Sequence, residues 1–332
     1  LLFAMIVYYY FSDKMVMGPL HKLNMATKEV VKHIDNGENI HIDITTNDEI
    51  EDLAESFEEM SVELNDYVKK LESVTAEKER IGAELNIATQ IQADMLPRIF
   101  PPFPDRDDLD IYASMTPAKE VGGDFYDFFL IDDKHLAMVM ADVSGKGVPA
   151  ALFMVIAKTL IKNRALMGGK PSEILEFVNN QLCENNEAEM FVTVWLGIIN
   201  LKTGLMTAAN AGHEYPAIKK EDGKFELLKD KHGFVLAGME NVKYKDYEIQ
   251  LEKNDIIFLY TDGVAEAADS ENNMYSTDRM ITALNMADTS ECRHIVEYVR
   301  SDINSFVKEA PQFDDITMLC LDYKKKMEVD VQ

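Results

Sequence analysis

The longest pattern of hydrophobic positions in the chain predicts one extended helix. Apolar residues recur at alternating steps of three and four from Ile50 to Met95, and only Lys78 and Gln92 place polar side chains in the stripe. A repeat of 3.5 residues over this length is typical of a left-handed coiled coil. The alternative is a single amphipathic helix lying on a globular core. Because the other faces are mostly charged, the pattern favours the coiled coil, which implies a partner helix.

Two shorter elements are predicted before this helix. Residues 19–34 place their apolar side chains on one helical face, and Asn36-Gly37 is a stop signal for that helix. Ile40, Ile42 and Ile44 then alternate with polar residues, which predicts an extended connector.

The first eleven residues, LLFAMIVYYYF, are wholly apolar. A bilayer span needs about 20 such residues, so this stretch alone cannot cross a membrane. One interpretation is a buried terminal strand or helix. The favoured one is the end of a transmembrane helix that starts before residue 1, with Tyr8, Tyr9 and Tyr10 at the membrane interface and Lys14 on the cytoplasmic side.

Short apolar runs and helical patterns follow the cluster of prolines between 97 and 104, and together they predict an α+β layered sandwich. The predicted strands are 109–113, 123–131, 135–142, 192–200, 205–211, 247–251, 256–261 and 317–322. The predicted helices are 149–167, 171–183, 277–286 and 290–308.

Composition narrows the functional classes. The chain has 33 Lys and Arg against 59 Asp and Glu, a formal net charge of −26, which argues against a nucleic-acid partner because phosphate backbones would be repelled. Its three cysteines contain no CxxC pair, which argues against a disulfide framework or a zinc cluster.

Four aspartates stand at the ends of apolar strands or in glycine-containing turns: Asp124, Asp142, Asp262 and Asp314. Each could simply cap a turn or a helix. Four such acids in one domain instead favour a shared site for hard divalent cations, Mg²⁺ or Mn²⁺, because a buried carboxylate is costly unless it is paired or metal-bound.

The motifs EVGGDFYD, ADVSGKGVPAALFM, NAGHEYP, LYTDGVAEA and FDDITMLCL resemble, in order and spacing, the PPM-type metal-dependent Ser/Thr phosphatases, and especially their SpoIIE/RsbU-type branch. The resemblance implies two central antiparallel sheets flanked by paired helices. It also implies that Asp142 bridges two cations, Mn²⁺ or Mg²⁺, and that the Val143 carbonyl completes a site. Asp262 and Asp314 would be further ligands, and Asp124 would bind through water or a third ion. Asp315 is a weaker candidate.

The sequence departs from this resemblance at two points. Many members have a histidine two residues after the bridging aspartate, where this chain has Ser144, and no arginine stands near the first motif to anchor phosphate. Lys119, Lys146 and Ser144 are therefore candidate phosphate or substrate contacts. His213 is another candidate, although a structural hydrogen bond is the favoured role for it.

The N-terminal region resembles a HAMP domain. The resemblance rests on the short helix, the connector and the segment NDEIEDLAESFEEM at the start of the long helix. The domain prediction is a transmembrane end at 1–11, HAMP at 12–65, a coiled-coil signalling helix at 66–96, the phosphatase domain at 97–323 and a tail at 324–332. The resemblance implies that a signal passes along parallel dimer helices.

The expected function is that of a signal-regulated protein Ser/Thr phosphatase, tethered to the inner (plasma) membrane with its catalytic domain in the cytoplasm. By kinship, the expected substrate is a phosphorylated STAS-type anti-sigma-factor antagonist. The alternative is a non-catalytic pseudophosphatase that binds a partner without turnover. That alternative would be expected to lose at least one metal acid, and all four are present.

Overall fold

A computed structural model describes residues 2–35, 39–221, 223–229 and 232–324, without the side chains of 31–35. It divides into two compact units, Leu1–Glu84 and Leu85–Gln332. The predicted stop at Asn36-Gly37 lies outside the described residues.

The first unit is helical. Its helices are α1 (Leu2–Ser12), α2 (Gly18–Asp35) and the greater part of α3 (Glu49–Met95), with a π-helical turn at Asp13–Met17. Asp48 caps α3, since its Oδ1 accepts a hydrogen bond of 3.0 Å from the Ile50 amide. Among the described helices, none combines the length and the apolar character that a bilayer crossing requires.

The alternation in the connector is confirmed. Ile40, Ile42 and Ile44 are buried with Leu23 of α2 and Ala54 of α3 in a small core. The connector is extended, so every second side chain points the same way. This core holds α2, the connector and the start of α3 together.

The second unit holds two five-stranded sheets in which all pairings are antiparallel, and this confirms the predicted fold class. Sheet A has the order β1-β10-β9-β6-β7 and sheet B the order β2-β3-β4-β5-β8. The strands are β1 (Leu109–Thr116), β2 (Phe125–Asp132), β3 (His135–Val143), β4 (Val192–Asn200), β5 (Leu205–Ala211), β6 (Ala217–Lys219), β7 (Phe225–Leu227), β8 (Tyr247–Gln250), β9 (Asp255–Tyr260) and β10 (Ile316–Tyr323). The three-residue strands β6 and β7 were not predicted.

Helices cover the outer faces of both sheets. Helices α4 (Val148–Leu166) and α5 (Pro171–Cys183) contact sheet B, whereas α7 (Thr277–Met286) and α8 (Cys292–Val307) contact sheet A. A single turn, α6 (Asp262–Ala265), was not predicted. Strand β9 is buried along its whole length.

The burial of β9 on both faces explains its continuous apolar run from Ile256 to Tyr260. Ile257 and Leu259 point into the core between the sheets, and Phe258 and Tyr260 point into the core under α7 and α8. A strand covered on both sides has no face for polar residues.

A buried ion pair fixes α4 on sheet B. Lys158 of α4 and Asp127 of β2 are almost fully buried, and their Nζ and Oδ2 atoms lie 2.5 Å apart. Breaking such a pair would leave one charge unpaired in the core, so moving α4 away from β2 at this point would be costly. Helix α4 begins at the end of the segment that follows Asp142.

Candidate metal and catalytic site

The four predicted aspartates come to one end of the sandwich. In sheet B, Asp142 lies near the end of β3, and β2 starts directly after Asp124. Phe125 of β2 pairs with Ala141 of β3 in an antiparallel register, which brings Asp124 and Asp142 to the same edge. In sheet A, β9 ends before Asp262 and its neighbour β10 begins after Asp314. Antiparallel neighbours therefore bring distant parts of the chain to the same edge.

Two threonines bind the buried carboxylate of Asp124 across the sheets. The Thr261 and Thr317 hydroxyls donate hydrogen bonds of 2.7 and 2.6 Å to Asp124 Oδ2. Thr261 follows β9 and Thr317 belongs to β10, so these bonds tie sheet A to the start of β2. Sequence reasoning missed both residues, although each stands within a motif beside a predicted acid.

Asp315 is an anchor for the backbone. Its Oδ1 accepts from the Ala118 amide at 2.8 Å, and its Oδ2 accepts from the amides of Gly123 at 2.7 Å and Asp124 at 3.3 Å. A Cβ at Gly122 would lie 2.3 Å from Asp315 Oδ2, so a larger residue there would displace the Asp315 carboxylate. Asp315 thereby positions the segment that carries Asp124.

Burial, together with the crowding of negative charge, raises the pKa of Asp124, Asp142 and Asp262. Burial and the neighbouring Asp262 raise the pKa of Asp142 to about 7. Burial and the charges of Asp142 and Asp315 raise the pKa of Asp124 well above its usual value. These carboxylates interact strongly enough that ionising one of them disfavours ionising the next.

Asp262 lies among acids that the sequence interpretation did not single out. Burial raises its pKa to about 6, and the charges of Glu266, Asp314 and Glu214 act in the same direction. Glu266 stands one turn later, and its amide donates to the Asp262 carbonyl at 2.8 Å. The acidic surface therefore extends beyond the four predicted aspartates.

Lys146 supplies a positive charge at this edge. Its Nζ lies 2.9 Å from Asp314 Oδ2, donates to the Phe313 carbonyl and sits 3.8 Å from the centre of the Phe313 ring. The prediction that Lys146 belongs to the site is consistent with this position. Lys119, the other predicted cation, is exposed in the segment before β2.

The donor set fits hard divalent cations, which prefer carboxylate and carbonyl oxygens. The Val143 carbonyl also faces the site segment, since a Cβ on Gly123 would lie 2.8 Å from that oxygen. As the side chains stand, no three Asp, Glu, His or Cys residues within the described ranges converge closely enough to hold an ion. The fit therefore rests on the oxygen chemistry and on the raised pKa values, which a bound cation would lower.

His213 lies inside the protein with both ring nitrogens hydrogen-bonded, the arrangement expected of its favoured structural role. The ring is buried, and its Nε2 lies 3.1 Å from the Tyr260 carbonyl, which can only accept a hydrogen bond. Nε2 is therefore the protonated nitrogen, and Nδ1 accepts from the Thr193 hydroxyl at 2.8 Å. Burial lowers the pKa of His213 to about 3, so the ring stays neutral at physiological pH.

Ser144 is bound to the segment before β4. Its Oγ accepts from the Phe191 amide at 2.9 Å, and its own amide donates to the Phe191 carbonyl at 2.9 Å. These bonds fix the turn after Asp142, and they give Ser144 a positioning role.

Gln92 has a role that its polar place in the helical stripe did not suggest. It is buried, its Nε2 donates to the Gly122 carbonyl at 2.6 Å, and its Oε1 accepts from the Gly122 amide at 3.2 Å. Thr89 donates to the Glu120 carbonyl at 2.5 Å. The last turns of α3 thus belong to the second compact unit, which begins at Leu85.

Comparison with known proteins identifies the family. The family model described as Stage II sporulation protein E (SpoIIE) matches residues 132–324, and the HAMP domain model matches residues 14–66. Phosphoserine phosphatase RsbU of Bacillus subtilis is 32% identical over 248 residues, covering 74% of this chain and 71% of RsbU. The chain belongs to the SpoIIE family. The predicted HAMP and SpoIIE/RsbU-type resemblances are confirmed.

Two further comparisons bear on this SpoIIE-family chain. Protein IcfG of a Synechocystis strain is 29% identical over 286 residues, which are 77% of this chain but only 44% of IcfG. The solved SiaA-PP2C domain of Pseudomonas aeruginosa has a TM-score of 0.66 at 21% identity, and the match covers 75% of this chain and 99% of that domain. The second unit therefore has the PP2C phosphatase fold, and phosphatases of this family are metal-dependent, generally with Mn²⁺ or Mg²⁺.

Proposed function

We propose that this SpoIIE-family chain is a metal-dependent protein serine/threonine phosphatase. The observation that supports this most strongly is the meeting of Asp124, Asp142, Asp262 and Asp314 from both sheets at one edge, with the pKa values of the first three raised by burial and mutual repulsion. Buried carboxylates that repel one another in this way are suited to bind divalent cations, and those cations would offset the negative charge of a phosphate group. The relative RsbU bears the name phosphoserine phosphatase.

In this proposal Asp142, Asp262, Asp314 and the Val143 carbonyl hold two divalent cations, and Asp124 acts through water or a third ion. When bound, the cations supply Lewis-acid charge that activates water and offsets the phosphoryl charge. Thr261 and Thr317 orient the Asp124 carboxylate through their hydroxyl donors.

Lys146 is proposed to contact the phosphoryl group of the substrate. Its ammonium stands beside Asp314, and its long side chain can turn from that carboxylate toward a bound phosphate. Lys119, exposed on the neighbouring segment, is a second candidate contact. His213 takes no part, because both ring nitrogens are engaged inside the protein.

Removal of divalent cations tests the proposal. The full chain is expected to hydrolyse para-nitrophenyl phosphate with Mn²⁺ or Mg²⁺, to lose nearly all of this activity in excess chelator, and to regain it when Mn²⁺ is restored. The measurement is the rate of nitrophenolate release across a titration of each ion. Absence of turnover with any divalent ion would contradict the proposal and favour the partner-binding pseudophosphatase.

We further propose that the chain works as a membrane-tethered parallel homodimer. Helix α1 is exposed along its apolar length, with Leu2 at 77% and Phe3 at 80% exposure, as expected of a surface covered by lipid. The apolar stripe of α3 is also exposed at Leu64, Leu71 and Val74, as expected of a surface that packs against the α3 helix of a second copy of the chain. The catalytic unit would then face the cytoplasm from the inner membrane.

The proposed substrate is a phosphorylated protein of the STAS-type anti-sigma-factor antagonist class. This rests on kinship, since the relatives RsbU and RsbP of Bacillus subtilis are both named phosphoserine phosphatases. The strong negative charge of the chain is compatible with a protein partner and unfavourable for nucleic acid.

Signal control is proposed to pass through the contact between Gln92 and Gly122. Gln92→Leu keeps the size of the side chain but removes both hydrogen bonds to the segment that carries Asp124, so the Mn²⁺ concentration for half-maximal rate is expected to change at least about fivefold. Gln90→Leu is the matched control, because Gln90 is exposed two residues earlier on the same helix. An unchanged Mn²⁺ requirement in the Gln92 variant would contradict the coupling.

A further inference from the structure

A groove lies directly beside the carboxylate site. It has a volume of about 850 Å³, and its lining includes Glu266, Met274, Val307, Glu309, Pro311 and Phe313. We call this the acidic groove. A smaller cavity shares Val307, Pro311 and Phe313 with it and reaches Gly263 and Asp314. The groove is therefore continuous with the two segments that carry Asp262 and Asp314.

The groove combines apolar surface with negative charge. Phe313 is 73% exposed and Met274 is 63% exposed, which is unusual for large apolar side chains. Glu266 and Glu309 are exposed on its lining. Asp269 also lines it, but its carboxylate already accepts from the Glu271 and Asn273 amides at 2.8 and 2.9 Å.

The negative charge of the groove favours a basic segment as its ligand. Lys308 is the one cation among the described lining residues, against Glu266, Glu309 and Asp269. An acidic segment would be repelled, whereas a lysine or arginine would complement Glu266 and Glu309. Phe313, Met274 and Val307 offer apolar contact to a neighbouring side chain of the same segment.

We propose that the acidic groove binds the substrate segment next to the phosphoserine, through one apolar and one basic side chain. This inference rests on the proposed phosphatase function and adds its sequence preference. Phe313 directly precedes Asp314, and Glu266 stands one turn after Asp262, so a segment in the groove enters the site beside both acids.

A second groove provides a matched control. Its volume is about 720 Å³, and Phe191, Phe234, Met239 and Glu240 are among its lining residues. It too presents an exposed methionine, Met239 at 57% exposure, beside a glutamate. It includes none of the four predicted aspartates, and its link to the site runs through the bonds between Phe191 and Ser144.

The test uses synthetic phosphoserine peptides that carry a Leu-Lys pair two residues before or after the phosphoserine, with Ser-Lys and Leu-Glu versions for comparison. Met274→Ser is expected to raise KM for the Leu-Lys peptide about tenfold, because an apolar contact is lost. Glu309→Lys is expected to raise it about threefold and to improve hydrolysis of the Leu-Glu peptide. Neither change is expected to alter hydrolysis of para-nitrophenyl phosphate, which is too small to use the groove.

The control variants are Met239→Ser and Glu240→Lys, which are expected to leave KM for every peptide unchanged. If these variants raise KM and the Met274 and Glu309 variants do not, the substrate uses the second groove and the inference is wrong. Equal KM for all peptides and variants would also overturn it, while hydrolysis of para-nitrophenyl phosphate would still support the phosphatase. If the unaltered chain hydrolyses neither the peptides nor para-nitrophenyl phosphate, the proposed function fails and this inference fails with it.

Discussion

Replacing Asp142 with alanine is expected to lower Mn²⁺-dependent hydrolysis of para-nitrophenyl phosphate about 10³-fold, or about 4 kcal/mol of transition-state stabilisation. Asp142 is the last residue but one of β3; its charge raises the pKa of Asp124, and the charge of Asp262, after burial, raises the pKa of Asp142. No other carboxylate of the cluster could take its place without moving a strand end. The measurement is kcat/KM together with the affinity for Mn²⁺ by calorimetry.

The stability of the Asp142→Ala protein separates loss of a ligand from misfolding. Burial and repulsion make this carboxylate unfavourable in the metal-free fold, so its removal is expected to leave the unfolding temperature without metal unchanged or slightly higher. Added Mn²⁺ should raise that temperature in the unaltered chain and not in the variant, because an ion stabilises the folded state only when it binds to it.

Asp133→Ala is the control for this experiment. Asp133 is exposed in the turn between β2 and β3, at the far end of the strand that carries Asp142. It should keep both the activity and the response to Mn²⁺. Full activity in Asp142→Ala would contradict the assignment of the metal site.

Most of the fold was predictable because its strands are long and strongly apolar. Strands β4 and β5 and helix α5 match their predicted bounds residue for residue. Strands β6 and β7 have three residues each, and they are strands only because β6 pairs with β9 and β7 pairs with β6. A pattern of period two cannot be detected over three positions, so tertiary pairing decides such segments.

The acids of the site were predictable because each breaks an apolar run at the end of a strand. The residues that position these acids were not predictable, because their hydrogen bonds join distant parts of the chain. Thr317 and Asp124 are 193 positions apart, and Asp315 and Gly123 are 192 positions apart. Only the folded register brings these residues together. Gln92 stood out only as a polar residue in the helical stripe, because the sequence does not show that the Gly122 backbone would satisfy its amide.

Replacing Gly263 with alanine is expected to lower Mn²⁺-dependent activity about 100-fold, because it would displace two acids at once. A Cβ at this position would lie 2.0 Å from the Asp315 carbonyl oxygen and 3.3 Å from Asp314 Cβ. The nearest obstacle is backbone, which cannot turn aside as a long side chain can. The start of α6 and the segment before β10 would have to separate, and that would move Asp262 away from Asp314.

The same separation should destabilise the fold by about 1–3 kcal/mol, measured by urea unfolding without metal. Gly82→Ala is the matched control, since a Cβ at Gly82 in α3 meets nothing within 4 Å and alanine favours a helix. It should retain full activity and stability. The Mn²⁺ concentration for half-maximal rate should rise in the Gly263 variant alone, because its ligands are misplaced and not removed. Unchanged Mn²⁺ affinity in that variant would mean that Asp262 and Asp314 need not stand this close, and the shared-cation arrangement would then be wrong.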